Sequence, residues 1–136
     1  MKRNGSKLVV ALVAIGLALA ACEFSASTAN FADAFMAKDP DGNERTTTYG
    51  QDDIFYAIVD LANAPSGTEV RSEWFAVAAE GVDANTPLDQ ATITSGSARI
   101  TFDAANAEGF LWPLGTYRVD LYLNDVLKTS LEFQVQ

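Results

Sequence analysis

The residues of this chain that could take part in catalysis are mostly acidic. The chain has no His to act with them as a catalytic base or metal ligand. The 136 residues include 18 Asp and Glu, one Cys and no His. Without His the chain lacks the commonest catalytic base and metal ligand, which excludes zinc enzymes and Ser-His or Cys-His hydrolases. With one Cys, no disulfide can form within the chain. We therefore predict no catalytic residue, no metal and no cofactor.

One acidic segment deserves a separate test against calcium chemistry. Asp39, Asp41 and Asn43 lie in the sequence DPDGN, which superficially resembles a calcium loop. An EF-hand needs Gly at its sixth position and Glu at its twelfth, whereas here Gly42 is fourth and Gly50 is twelfth. The segment is instead typical of a Pro-Asp-Gly turn. A weak calcium site of another kind stays open as the alternative.

The segment GFLWPLG, residues 109–115, concentrates large apolar side chains in a connection between strands. Because connections run over the surface, exposed aromatic groups there often bind a partner. We predict that Phe110 and Trp112 contact a partner, together with Tyr49 from an earlier connection. The alternative is that the segment plugs an open end of the core, with Phe110 and Leu114 as the plug.

The N-terminal residues predict a secretory signal peptide over residues 1–21. Lys2, Arg3 and Lys7 precede an apolar run, and small residues follow that run. The run is too short for an uncleaved transmembrane helix, which needs about 20 apolar residues. We therefore expect this segment to be removed.

The tetrad Leu19-Ala20-Ala21-Cys22 resembles the lipobox of bacterial lipoprotein signal peptides. The resemblance implies that diacylglycerol is joined to the Cys22 thiol and that the leader is cut just before Cys22. It also implies that the freed amine is often acylated. More than one acyl chain is needed for a stable anchor, because a single chain gives only marginal membrane binding. The expected location is the bacterial cell envelope, outside the cytoplasm, with inner or outer membrane left open. An ordinary secretory leader followed by a free thiol is the alternative.

Loss of residues 1–21 would make the chain strongly acidic. The remaining 136 − 21 = 115 residues carry six Lys and Arg against 18 Asp and Glu, a formal net charge of 6 − 18 = −12. That charge opposes binding to nucleic acid, so we exclude nucleic-acid partners. Residues 22–30 are expected to form the lipidated Cys and a flexible tether, about 16 Å from end to end. Residues 31–136 are long enough for one domain with its own core.

The elements that must position these side chains are predicted to be strands. Beyond the tether, short runs alternate apolar and polar residues and are separated by Gly, Pro, Asn and Asp, which is typical of an all-β chain. The predicted strands are residues 31–37, 54–61, 69–77, 91–94, 98–103, 116–124 and 126–135. Asn124 and Asp125, between the last two strands, suit a two-residue type I′ turn.

Seven short antiparallel strands favour a two-sheet sandwich. Trp74 in the third predicted strand and Tyr117 at the start of the sixth occupy positions where immunoglobulin-like domains carry a buried Trp and a tyrosine corner. Residues 31–136 therefore resemble an immunoglobulin-like antiparallel sandwich of the kind found in extracytoplasmic bacterial modules. Val119 stands where antibody domains have a disulfide Cys, a departure from the antibody pattern alone.

Together these features predict a membrane-anchored, non-catalytic binding module whose partner is a protein of the envelope or cell surface. The alternative is a carbohydrate-binding module in which Trp112 or Tyr56 stacks on a sugar ring. A second alternative is a small hydrolase of unfamiliar type, for which the sequence offers only Lys128 and Ser130 on one strand face.

The order of the strands predicts where a partner would bind. Consecutive connections alternate ends in such a sandwich, so the three long ones, residues 38–53, 78–90 and 104–115, should meet at the end remote from the lipid. The partner-binding aromatic residues should be ringed there by acids. These acids are Asp39, Asp41, Glu80, Asp83 and Glu108.

Overall fold

The computed structural model describes residues 28–136, and within them it contains eight strands and no helix. The strands are β1 (Asn30–Ala37), β2 (Thr48–Tyr49), β3 (Phe55–Ala62), β4 (Thr68–Ala79), β5 (Thr86–Ser95), β6 (Ala98–Ala104), β7 (Gly115–Leu123) and β8 (Val126–Val135). Across this described range no helix could span a membrane. The predicted signal peptide, Cys22 and most of the predicted tether lie outside the described residues.

Two sheets form the described domain, residues 28–136. Strands β1, β3 and β6 make a three-stranded sheet in the order β1-β3-β6, and the other five make a second sheet in the order β2-β8-β7-β4-β5. Every pairing is antiparallel except that of β2 with β8, which is parallel. One hydrophobic core takes side chains from both sheets. The architecture confirms the predicted all-β, two-sheet sandwich.

Alternation along the strands builds the core. In β7 the side chains of Tyr117, Val119, Leu121 and Leu123 are all buried, as the period of two predicts. Aromatic rings fill the centre, where Phe55 lies 4.7 Å from Phe133 between ring centroids. The predicted buried Trp is confirmed, because Trp74 is 1% exposed.

The hairpin between β7 and β8 also follows the prediction. Asn124 and Asp125 both have positive φ, 46° and 65°, as a type I′ turn requires. Asn124 further ties the hairpin to β4, because its side-chain oxygen accepts the Glu69 N–H at 3.0 Å and its own N–H donates to the Glu69 carbonyl at 2.8 Å.

Two strands depart from the sequence prediction. β2 lies inside the predicted first connection, and it is too short to show any alternation; its pairing with β8 holds it. β5 begins at Thr86 rather than at residue 91, because it is an edge strand whose largely exposed residues carry no apolar period. Since β4 also runs on to Ala79, the third connection is residues 80–85 and is not long.

Part of the first connection leaves the end of the sandwich. Residues 39–45 fold back across the outer face of the three-stranded sheet, where Gly42 comes so close to Phe35 that a Cβ atom would lie 3.0 Å from the ring. The carbonyl oxygen of Asp41 accepts a hydrogen bond of 3.1 Å from Arg99, near the start of β6. This segment therefore covers a sheet face.

Candidate interaction surface at one end of the sandwich

Three connecting segments, residues 50–54, 80–85 and 105–114, meet at one end of the sandwich. We call this end the distal end. The N–H of Trp112 donates to the Gln51 carbonyl at 2.8 Å, and the Gln51 side-chain amide donates back to the Trp112 carbonyl at 2.9 Å. The Glu80 N–H donates to the Leu114 carbonyl at 2.9 Å. The predicted meeting of these three connections is confirmed for these segments, and it is wrong for residues 39–45.

Two of the three predicted contact residues are core side chains. Trp112 is 7% exposed, its ring lies 4.6 Å from that of Phe55, and its indole N–H donates to the Asp53 carbonyl at 3.0 Å. Tyr49 is 1% exposed, and its hydroxyl donates to the Ala37 carbonyl at 2.7 Å. Because an open end of a sandwich must be closed and both polar atoms find backbone partners, neither ring is offered to a partner. The expectation for Tyr49 and Trp112 is wrong.

Phe110 has the exposure that a contact residue needs. Its side chain is 68% exposed, that of the adjacent Leu111 is 61% exposed, and Ile54 from the neighbouring loop is 40% exposed. We call these three residues the distal apolar patch. They line a groove of about 340 Å³ between residues 51–54 and 105–111. Nothing in the sequence pattern indicated Ile54 as a surface residue, because Ile54 was predicted to begin a strand.

A tight turn presents Phe110 to solvent. The Phe110 N–H donates to the Ala107 carbonyl at 3.0 Å, and Gly109 between them has a φ of 83°, a conformation that suits glycine. Two positions later Trp112 enters the core. The alternative in which Phe110 plugs the core is therefore wrong, while Leu114, partly buried against the core, does serve as a plug.

The distal end is acidic. Its carboxylates belong to Asp52, Asp53, Glu80, Asp83 and Glu108. A cation approaches one of them, since the Lys38 amine lies 3.8 Å from the Asp53 carboxylate. The four arginines of residues 28–136 pair with acids of the sheets and the β7–β8 turn instead. Those pairs are Arg45 with Asp33, Arg71 with Glu73 and Asp125, Arg99 with Asp60, and Arg118 with Asp120.

Asp39 and Asp41 do not join that acidic group, because both belong to the segment that folds back over the sheet. The Asp39 carboxylate accepts the N–H groups of Glu44 at 2.8 Å and Asn43 at 3.0 Å, and these bonds lower the pKa of Asp39. The expected turn is thus confirmed. Within residues 28–136 no group of three His, Cys, Asp or Glu side chains is arranged to hold a metal ion. The structure lends no support to the calcium alternative.

Most of the side chains named for the two alternative functions have partners within the domain. Trp112 is buried and offers no open ring to a sugar, whereas Tyr56 is half-buried against the small cluster of Phe35 on the outer sheet face. The Ser130 hydroxyl donates to the Asp120 carboxylate at 2.7 Å. It is therefore held by a carboxylate and shows no pairing with Lys128.

Comparison with known proteins identifies the fold. No protein-family model and no curated protein matches the chain. An immunoglobulin-like protein from Pseudomonas aeruginosa matches with a TM-score of 0.57 at 12% identity, over 82% of this chain and 99% of that one. The fold of residues 28–136 is accordingly an immunoglobulin-like β-sandwich.

Two enzymes contain a similar unit. An alkylpurine DNA glycosylase from Pseudomonas fluorescens, bound to DNA containing an abasic site analog, matches with a TM-score of 0.53 at 14% identity, over 81% of this chain and 31% of the glycosylase. A β-glucosidase from Listeria innocua in complex with isofagomine matches with a TM-score of 0.50 at 13% identity, over 82% of this chain and 17% of the glucosidase. At such identities the likeness concerns the fold alone.

Proposed function

We propose that this immunoglobulin-like domain is a non-catalytic binding module, anchored by lipid outside the bacterial cytoplasm, that meets a protein partner through the distal apolar patch. The observation that carries the proposal is the exposure of Phe110 and Leu111 side by side at a loop tip. Grouped apolar side chains in water are typical of interaction sites, because covering them is favourable.

The scaffold beneath the patch supports a specific contact. Trp112 anchors the loop in the core, and the paired hydrogen bonds between Trp112 and Gln51 join the two loops that carry the patch. A loop held in this way loses little conformational freedom when it binds, so more of the contact energy contributes to affinity. Aromatic side chains at the centre of an interface commonly dominate that energy.

The charge around the patch narrows the class of partner. Four carboxylates of the distal end, those of Asp52, Glu80, Asp83 and Glu108, form no ion pair within residues 28–136. A partner surface that carries Lys or Arg around an apolar pocket would complement this rim, and association would be faster at low salt. Nucleic acid and other polyanions would be repelled.

The anchor rests on the Leu-Ala-Ala-Cys tetrad that ends at Cys22. We expect the intact mass of the protein purified from membranes to correspond to a chain that starts at Cys22 with acyl groups added. An unmodified Cys22, or a chain that starts elsewhere, would contradict the lipoprotein proposal. That result would leave the distal surface to be judged by its own experiment.

Site-specific photo-crosslinking tests the surface. Benzoyl-phenylalanine is placed at position 110, or at position 88 as the control, since Leu88 is also an exposed apolar residue but lies on the edge strand β5 and does not line the groove of the patch. In producing cells, position 110 should give a discrete protein adduct that position 88 lacks, and high salt should weaken it. Equal adduct patterns at the two positions would contradict the proposed surface.

A further inference from the structure

A second pair of exposed apolar side chains lies at the opposite end of the sandwich. Val126 is 55% exposed and Leu127 is 50% exposed, directly after the turn that joins β7 to β8. Leu123, which pairs with Val126, is buried, and so is Val70, which pairs with Leu123. Val126 and Leu127 therefore project from the edge of the core. Nothing in the proposed partner contact uses these two residues.

The chain enters the described domain at the same end. The Thr28 hydroxyl donates to the Asn63 carbonyl at 3.3 Å, and the Asn63 amide donates to the Asn30 side chain at 3.1 Å. Asn30 and Phe31 also share one groove with Lys128 and Thr129. The start of β1 therefore faces the start of β8. We call residues 28–30, 63–67, 96–97 and 124–128 the proximal end.

The length of chain before this end limits its distance from a membrane. Six residue steps separate Cys22 from Thr28, and even a fully extended chain spans at most about 3.6 Å per residue, or about 22 Å in all. If Cys22 carries the lipid, as proposed above, the proximal end always stays within that reach of the headgroups. A tether this short gives the second contact a high effective concentration.

The charges also distinguish the two ends. Next to the proximal end, Arg71 of β4 pairs with Asp125 and Glu73, and Lys128 is exposed and forms no ion pair within residues 28–136. Glu69 is the remaining acid of this region. The proximal end is thus close to neutral, whereas the distal end is acidic and would be repelled by anionic headgroups.

From this placement we infer that Val126 and Leu127, with Lys128 beside them, rest in the headgroup region of a phospholipid bilayer. This inference depends on the lipid anchor proposed above. Small aliphatic side chains are covered by the acyl boundary while the Lys128 amine stays among the phosphates. The contact orients the domain, with the distal apolar patch directed away from the membrane.

Photo-crosslinking to lipid can test the contact without relying on cellular acylation. The chain beginning at Cys22 is coupled through its thiol to a maleimide lipid in phosphatidylcholine vesicles. Benzoyl-phenylalanine replaces Leu127 or, as the matched control at the other end, Leu111. Mass spectrometry should detect several-fold more lipid adduct at position 127. Equal adducts at the two positions, or none at position 127, would overturn the inference.

Hydrogen exchange supplies a second readout. Tethering to the vesicles should slow exchange in residues 124–129 several-fold relative to the untethered chain. The V126S/L127S variant should lose that protection, and the F110S/L111S variant, which also removes two exposed apolar side chains, should keep it. Protection that survives V126S/L127S would contradict the contact. A cell-made protein without acyl groups would instead contradict the anchor, whatever the tethered protein does.

Discussion

The hydroxyl of Tyr117 donates a hydrogen bond of 2.6 Å to the carbonyl oxygen of Pro113. The bond ties the start of β7 to the loop that carries Phe110 and Leu111 of the distal apolar patch. Burial raises the pKa of the Tyr117 hydroxyl, since ionisation would place a charge in the core. The pairing is the tyrosine corner that the sequence predicts.

Replacing Tyr117 with Phe should lower the free energy of unfolding by about 0.5 to 1.5 kcal/mol, the net contribution of one hydrogen bond. The Tyr122→Phe variant is the matched control, because that ring lies on the outer sheet face beneath Arg71. Urea denaturation of both variants measures the difference. Equal midpoints for the two would show that the corner bond contributes nothing.

Alkaline pH should destabilise the fold through Tyr49. Burial raises the pKa of the Tyr49 hydroxyl well above its ordinary value, which remains near 10 in the unfolded chain. The unfolded chain therefore releases this proton first, and stability falls as pH rises past about 10. The Tyr49→Phe variant should show a shallower fall between about pH 9 and pH 11. Parallel curves for Tyr49→Phe and wild type would refute this.

Truncation of Trp112 and of Phe110, which lie two positions apart in one loop, should change the free energy of unfolding by very different amounts. Trp112→Ala removes a buried ring stacked on Phe55 and should cost about 3 to 5 kcal/mol of stability. Phe110→Ala removes an exposed ring and should change stability by no more than about 0.5 kcal/mol. Thermal or chemical denaturation distinguishes these values. A large loss for Phe110→Ala would mean that Phe110 supports the fold.

Gly115 should not tolerate a side chain. A Cβ atom there would lie 2.2 Å from the Ala78 carbonyl oxygen and 2.7 Å from the Ala79 Cα, in a backbone with a φ of 146°. Gly115→Ala should therefore cost on the order of 3 kcal/mol. Gly109→Ala is the control, since its φ is also positive but no atom lies within 4 Å, and it should cost about 1 kcal/mol. Similar losses would show that φ, not crowding, is decisive.

The parts of the fold that could be predicted from the sequence are those that depend on local pattern. The alternation in β7 and β8 predicted their ends within a residue, because one face of β7 is buried and the other meets solvent. Asn124 and Asp125 predicted a turn because both residue types tolerate positive φ. Trp74 and Tyr117 were identified because each residue type has a fixed place in such sandwiches.

The features that the sequence did not predict depend on tertiary contacts. Nothing local distinguishes Thr48 and Tyr49 from other loop residues, and β8 alone makes them a strand. Trp112 is buried and Phe110 is exposed because the Trp112 ring is the one that stacks on Phe55. A run of consecutive apolar residues in the sequence does not show which of them makes that contact. The sequence indicated an interaction loop and Phe110 within it, and only the geometry excluded Trp112 and added Leu111 and Ile54.

The parallel pairing of β2 with β8 also makes the completed core depend on the last strand. Tyr49 pairs with Val135, and the Phe133 ring lies 5.5 Å from that of Tyr49. A chain that emerges N-terminus first cannot close this side of the core until β8 is available. If the chain is exported as proposed, this dependence on β8 would keep the domain incompletely folded while it crosses the membrane.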